Sequence, residues 1–308
     1  MRHPLKPARD DDGARDPRAD GRSAYAHAAA QAGAWREAAE MYQQAIDLAP
    51  RWIAAWMGLA GASDALGDTA AAAIAYRQVL VLDPADLHGA ALHLAVLDPG
   101  VVPPFASVAY VGALFDAYAS RFEGHLTGPL IYSGPADLVA ALAEVGLRHF
   151  GHAIDLGCGT GLGGVALRPL TDALTGVDLS PNMVAAAHSK AIYDRLAVGD
   201  ICGFLGDEPE ASADLVLAAD VFVYVGDLAA ILTQAARVLR PGGTMAFTAQ
   251  RCAEGIAVGP DMRFAHALGY VDTVLKACGF APLILRAKSA RRENDRDVPG
   301  LVAVATRL

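Results

Sequence analysis

The chain has 308 residues, 25 basic against 34 acidic side chains, a formal net charge of −9 and 54 % apolar residues. That apolar share is enough for one large or two modest cores, and the acidic balance argues against a protein that works by wrapping nucleic acid or coating an anionic membrane. No apolar run reaches the roughly 18–20 residues that span a bilayer, and the first residues lack the apolar stretch of a secretory leader, so a cytoplasmic protein with no membrane partner is expected. Cys158, Cys202, Cys252 and Cys278 form no CxxC pair, and the nine histidines show no ligand spacing, so neither disulfides nor a metal are expected.

Residues 1–22 carry six basic and five acidic side chains and almost no large apolar groups, which predicts a disordered tail. A repeat follows. Gly33, Ala38, Tyr42, Leu48 and Pro50 recur 34 residues later as Gly67, Ala72, Tyr76, Leu82 and Pro84. Glycine turns between two helices, a small alanine lets them approach, tyrosine fills the gap and proline stops the second helix. This period and pattern resemble the tetratricopeptide repeat. Trp56 and Leu59 supply the apolar face of the second repeat's first helix, and Arg22 stands where the first repeat would carry tryptophan. Residues 87–97 read as a capping helix, which makes 23–97 a module of two repeats plus a cap. So short an array is expected to lean on the rest of the chain, on a protein partner or on a second copy.

DPGVVPP over residues 98–104 breaks the pattern and reads as a linker, and 105–308 as a second domain. Short apolar runs now alternate with helical segments: strands at 152–156, 173–179, 213–220 and 244–250, with helices between them. Such alternation predicts an α/β fold with a mostly parallel sheet covered on both faces. The last two apolar runs, APLILRAK and GLVAVATRL, form a hairpin, so one edge should be antiparallel.

The chemistry concentrates at strand ends. Asp155-Leu156-Gly157-Cys158-Gly159-Thr160-Gly161 is a strand ending in an acid, followed by a glycine-rich turn that opens a helix. Gly159 to Gly164 also satisfies the dinucleotide pattern GxGxxG, which leaves a nicotinamide dehydrogenase as an alternative. Against it, a carboxylate beside the loop repels a pyrophosphate and suits an ammonium. Asp178 and Leu179 end the next strand, where a carboxylate can accept from two ribose hydroxyls. Asp200 and Ile201 follow a third strand, and Asp220 ends a fourth. Ligands of open α/β sheets bind at these carboxyl ends.

This ordered set resembles the class I S-adenosylmethionine-dependent methyltransferases over about residues 105–308. The resemblance implies a Rossmann-like seven-stranded sheet. It also implies contacts from Asp155, Gly157 and Gly159 to the methionine part of S-adenosylmethionine, from Asp178 to its ribose, and from Asp200 and Ile201 to its adenine.

Further residues are candidates for the reacting centre. Phe115, Tyr118, Phe122 and His125 share one helical face, which reads either as packing onto the sheet or as a lid over the cofactor's methyl group, and Tyr132 would extend its wall. His266 is a candidate general base because its free pKa lies near neutrality, and Tyr224 is a second candidate. Arg263 and Tyr270 flank His266 and would line the acceptor pocket. The basic run Arg286, Lys288, Arg291, Arg292, Arg296 reads either as a solvated loop or as an anionic-substrate contact. After the fourth strand the chain lacks the Asn/Asp-Pro-Pro-Tyr/Phe motif of nucleic-acid amino-methylating enzymes, so nucleic acid is not the expected acceptor. The expected function is methyl transfer to an O or N nucleophile, with a small molecule as acceptor. A repeat scaffold with a cofactor-binding domain, or a protein methyltransferase that recruits through its repeats, is the alternative.

Overall fold

The computed structural model describes residues 16–127, 132–293 and 296–308, without the side chains of 120 and 125–127. His125 is therefore placed on a helix, and its side chain lies outside the described residues. The chain divides into two compact units. One holds the described residues up to Pro103 together with Pro260–Met262, and the other holds Pro104–Gly259 and Arg263–Leu308.

The first unit is all helix: α1 (Pro17–Gln31), α2 (Trp35–Leu48), α3 (Ile53–Ala65), α4 (Thr69–Leu82) and α5 (Ala90–Leu97). Residues 17–22, expected in a disordered tail, instead form the start of α1. Asp16 accepts from the Arg18 amide there and Pro17 occupies the first turn, so a start signal outweighs the polar composition. Helices α2 and α4 begin 34 residues apart, each just after a glycine with φ of +77°, Gly33 and Gly67. Ala38 and Ala72 are fully buried at the helix contacts. Gly58 leaves room for the Tyr42 ring, and Tyr76 stacks on His93 with centroids 4.6 Å apart. The cap helix starts at Ala90, three residues later than expected. Asp86 and Gly89 are left-handed, and the buried Asp86 carboxylate accepts from the amides of Ala90 and Ala91 at 2.6 and 3.1 Å.

The second unit opens with α6 (Val108–Thr127) and α7 (Gly134–Glu144). Then come β1 (Phe150–Leu156), α8 (Leu162–Leu167), β2 (Thr171–Asp178), α9 (Pro181–Ser189), β3 (Arg195–Val198), α10 (Ile201–Asp207), β4 (Ala213–Ala218), α11 (Ala229–Val238) and β5 (Leu239–Arg251). The chain finishes with β6 (Ile256–Val258), β7 (Phe264–His266), α12 (Leu268–Ala277), β8 (Phe280–Ala287), β9 (Arg292–Glu293), β10 (Arg296–Asp297) and β11 (Gly300–Arg307).

The main sheet has the order β3-β2-β1-β4-β5-β11-β8. Pairs from β3 to β5 are parallel, and β11 runs antiparallel to β5 and β8, as the final hairpin predicts. Apolar side chains cover both faces. One layer joins Ile154, Val216 and Phe247 to α11 and α12, and the other joins Ala153, Leu215 and Val304 to α7. Burial on both sides explains why the strands read as unbroken apolar runs. Two short strands were not expected: β7 extends the end of β5 in parallel, and β6 pairs back on it. Strand β1 pairs with β2 on one side and β4 on the other, and the chain changes direction across the sheet at β1/β4. That switch point leaves a crevice at the carboxyl ends.

Candidate functional site

The glycine turn leaves β1 at this switch point. Gly157, Gly159 and Gly161 all have positive φ, +60°, +53° and +95°, so the loop needs residues without a Cβ. A Cβ at Gly157 would meet Val221 at 2.6 Å. The Cys158 amide donates to Val177 O at 2.9 Å, which ties the turn to β2. Asp178 completes the tie: one carboxylate oxygen accepts from the Gly159 amide and the other from the Ser180 amide, both at 2.9 Å. Burial raises the Asp178 pKa and the two amides oppose it. Each oxygen retains a further lone pair, which keeps Asp178 suited to a vicinal diol.

Asp155 lies deeper than expected. It is 2 % exposed and its carboxylate sits beneath Gly163, where a Cβ would come within 2.7 Å of it. It accepts from the Tyr193 hydroxyl at 2.7 Å. Burial pushes its pKa up to about 7, the Tyr193 bond opposes that, and the Asp178 charge adds to it. Thus Asp155 braces the loop from below, whereas the sequence reading placed it directly against a ligand ammonium. Cys158 is also buried, and burial pushes its thiol pKa up.

Helix α6 lies over this turn. Phe122 comes within 3.5 Å of the Cβ position of Gly159, and its ring meets Phe115 and Tyr118 edge-on at 5.9 and 5.6 Å. Tyr224 continues the cluster, edge-on to Phe115 at 5.4 Å. Ser180 donates its hydroxyl to Asp116, and Lys190 pairs with Glu123, so α6 is strapped to both ends of α9. Four of the six aromatic residues expected at the reacting centre, Phe115, Tyr118, Phe122 and Tyr224, are therefore brought together.

Toward β3, Asp200 is exposed and caps α10 by accepting from the Gly203 amide at 2.9 Å. Ile201 and Leu179 are half-buried beside it. On the other side, Asp220 follows β4 in a left-handed conformation with φ of +60°, and its amide donates to Thr248 Oγ1. Its carboxylate is engaged by Arg291, which also pairs with Glu293. Arg291 is buried, so for this residue the solvated-loop reading is wrong. Arg263 pairs with the same Glu293 at 3.0 Å and faces Tyr118. Tyr132 is half-buried, and burial together with the Asp220 and Asp155 charges raises its phenol well above the usual range.

Two expectations fail. His266 is fully enclosed: its Nε2 lies 3.0 Å from Gly226 O, its Nδ1 is buried without a partner, and burial lowers its pKa. A ring with no exposure cannot meet an acceptor, so the general-base reading does not stand. Tyr270 accepts from the Leu228 amide at 2.9 Å and donates to Asp227 at 3.0 Å, fixing the start of α11 instead of lining a pocket. Burial is the largest cause that pushes its phenol up to about 12. Among the described residues no group of His, Cys, Asp and Glu is arranged to hold a metal ion, and no described helix is long and apolar enough to cross a membrane.

The sequence reading missed Tyr193, Asp116, Glu123 and Lys190. Each acts across elements far apart in the chain, and none belongs to a motif.

Comparison with known proteins agrees with this geometry. Residues 154–247 match the family model described as a methyltransferase domain. The chain is 30 % identical over 160 residues to a malonyl-[acyl-carrier protein] O-methyltransferase of Serratia marcescens, covering 49 % of this chain and 60 % of that protein. It is 36 % identical over 93 residues to a ubiquinone biosynthesis O-methyltransferase of Bradyrhizobium sp. (strain ORS 278), covering 30 % of this chain and 37 % of that protein. It thus spans less than two thirds of either relative. The fold is shared with the 1,6-didemethyltoxoflavin-N1-methyltransferase of Burkholderia thailandensis, at a TM-score of 0.51 and 18 % identity over 67 % of this chain and 92 % of that one. Residues 154–247 thus resemble a methyltransferase domain, and the sheet order is that of the fold shared with the Burkholderia enzyme.

Proposed function

We propose that the protein transfers a methyl group from S-adenosylmethionine to an O or N nucleophile of a small-molecule acceptor. The observation that carries this reading is the glycine turn at the β1/β4 switch point, clamped by Asp178 and roofed by aromatic side chains of α6. The positive-φ glycines clear a backbone cradle that any Cβ would fill, and Asp178 is the acid suited to a ribose diol. In this reading Gly157, Gly159, Gly161 and Asp178 hold the cofactor from one side, with Leu179, Asp200 and Ile201 along its far end. The bound cofactor supplies an electrophilic methyl group on a sulfonium. The chain's own work is to orient the acceptor and exclude water, which falls to Phe115, Tyr118, Phe122 and Tyr224. With His266 enclosed, proton removal is left to Tyr118 or Tyr224, or is not needed because the acceptor arrives deprotonated. The first relatives are O-methyltransferases by name, which favours an oxygen nucleophile. Titration calorimetry tests the cofactor: S-adenosylhomocysteine should bind at micromolar levels and NAD far more weakly. Labelled S-adenosylmethionine with cell extract would then reveal the acceptor.

A second reading rests on the first unit. Its two helix pairs at a 34-residue spacing support the tetratricopeptide resemblance, and such modules bind protein segments. Under this reading the repeats recruit a protein substrate or partner, or act as a scaffold with a cofactor-binding domain attached. Label appearing in a protein band instead of a metabolite would favour it.

A further inference from the structure

Helix α8 begins with a fault that the sequence alone does not repair. Its first turn presents backbone amides that need acceptors, and the cap position is Gly161, which has no side chain to offer one. The Tyr193 hydroxyl supplies the missing oxygen. It lies 3.1 Å from the Gly164 amide, accepts from it, and donates its own proton to Asp155 at 2.7 Å. Amide, phenol and carboxylate thus form one chain of hydrogen bonds from α8, through the segment before β3, to the end of β1. The space for the ring is built in. A Cβ at Gly164 would collide with it, and a Cβ at Gly176 or Gly161 would come within 2.8 or 3.2 Å. The glycines of this region therefore clear the ring from below as well as a ligand from above.

We propose that Tyr193 is a positioning residue for cofactor binding: its hydroxyl links the Gly164 amide to Asp155 and holds the glycine turn in its binding shape. This rests on the cofactor reading above. The groups facing Asp155 are few. Asp178 lies beside it, the Cys158 thiol and the Tyr132 phenol are neighbours, and Tyr193 makes the direct bond. Lys190, whose chain runs past Gly161, is paired with Glu123. No cation among these faces the Asp155 carboxylate, so its ionised form is favoured first by the phenol proton and, to a smaller extent, by the Gly164 amide.

The test uses the full chain and S-adenosylhomocysteine as probe, with calorimetric affinities from pH 6 to 9. Wild-type affinity should weaken as pH falls through about 7, where Asp155 takes up a proton. Tyr193→Phe keeps the ring and removes the bond. It should weaken binding about tenfold near neutrality, and the midpoint should move to higher pH, with affinity partly restored at pH 9. An unchanged affinity overturns the proposal, and so does a uniform loss with an unmoved midpoint. Should Tyr193→Phe fail to fold, Asp155→Asn decides: it still accepts from Tyr193 but does not titrate, so the pH dependence should vanish. Persistence of the wild-type profile in Asp155→Asn overturns the proposal as well. If wild type binds no S-adenosylhomocysteine at any pH, the cofactor reading itself falls and takes this role with it.

Discussion

Arg291 places one guanidinium nitrogen 2.7 Å from each carboxylate oxygen of Asp220, joining the connection between β8 and β11 of the final hairpin to the end of β4 across 71 residues of chain. Asp220 is held there in a left-handed conformation that non-glycine residues adopt rarely, and Asp and Asn tolerate best. Asp220→Asn should therefore keep the backbone and lose only charge, whereas Asp220→Ala should lose both. Removing a hydrogen bond to a charged group costs about 1–3 kcal/mol, so Arg291→Ala and Asp220→Ala should each lower the unfolding free energy on that scale. Asp220→Asn should fall between them and wild type. Denaturant melts of the three variants check the order, and equal stability of Asp220→Asn and Asp220→Ala would deny the backbone role.

His266 gives a pH signature of stability. Burial lowers its folded pKa below the ordinary 6.5. As pH falls through that value the unfolded chain takes up a proton that the folded chain refuses, so stability is full above it and is lost on acidification. Thermal melts from pH 8 to 5 should show a slope that His266→Asn reduces. Because the ring is enclosed, His266→Asn should also retain turnover within a few-fold of wild type. A loss of a hundredfold with the fold intact would restore the general-base role.

Asp155 has the opposite sign. Its folded pKa is raised to about 7 from 3.8, so the folded chain binds the extra proton between those values. Its contribution is fully present below the unfolded pKa and is lost as pH rises through about 7. Asp155→Asn should consequently melt higher than wild type at pH 8, with the gain shrinking at pH 5. A variant less stable at both pH values would show that the ionised form is worth more to the fold than its burial costs.

Asp178 braces the glycine turn through Gly159, and in the proposed function it accepts from the ribose hydroxyls. Asp178→Ala should weaken S-adenosylhomocysteine binding at least about tenfold, since charge-assisted bonds contribute roughly 1.5–3 kcal/mol each. Unchanged affinity in a folded variant would remove Asp178 from the binding site.

The two compact units suggest separable folding. Residues 104–308 expressed alone should bind S-adenosylhomocysteine within a few-fold of the full chain. Failure to fold or to bind would make the helical unit part of the catalytic body.

Most of the second unit was legible from its residues. The apolar runs of β1, β2, β4 and β5 are buried on both faces, so burial itself wrote their pattern, and Gly157, Gly159 and Gly161 marked the turn because its backbone conformation admits little else. The 34-residue spacing of α2 and α4 was legible for the same reason, each glycine turn and buried alanine repeating at a fixed interval. Sequence could not say which side chains those openings admit. Gly164 and Gly176 read as loop and strand glycines until the Tyr193 ring is seen to occupy the space they leave. His266 and Tyr270 have the chemistry of a reacting centre, and only packing shows them spent on Gly226 O and the start of α11. Arg291 sits in a run of charges that solvent could satisfy, yet it is buried against Asp220 because the final hairpin carries it back to the end of β4. Periodicity and turn chemistry are local and survive in one dimension. The partner of a polar group is set by which strands become neighbours, and that was decided only when the sheet closed.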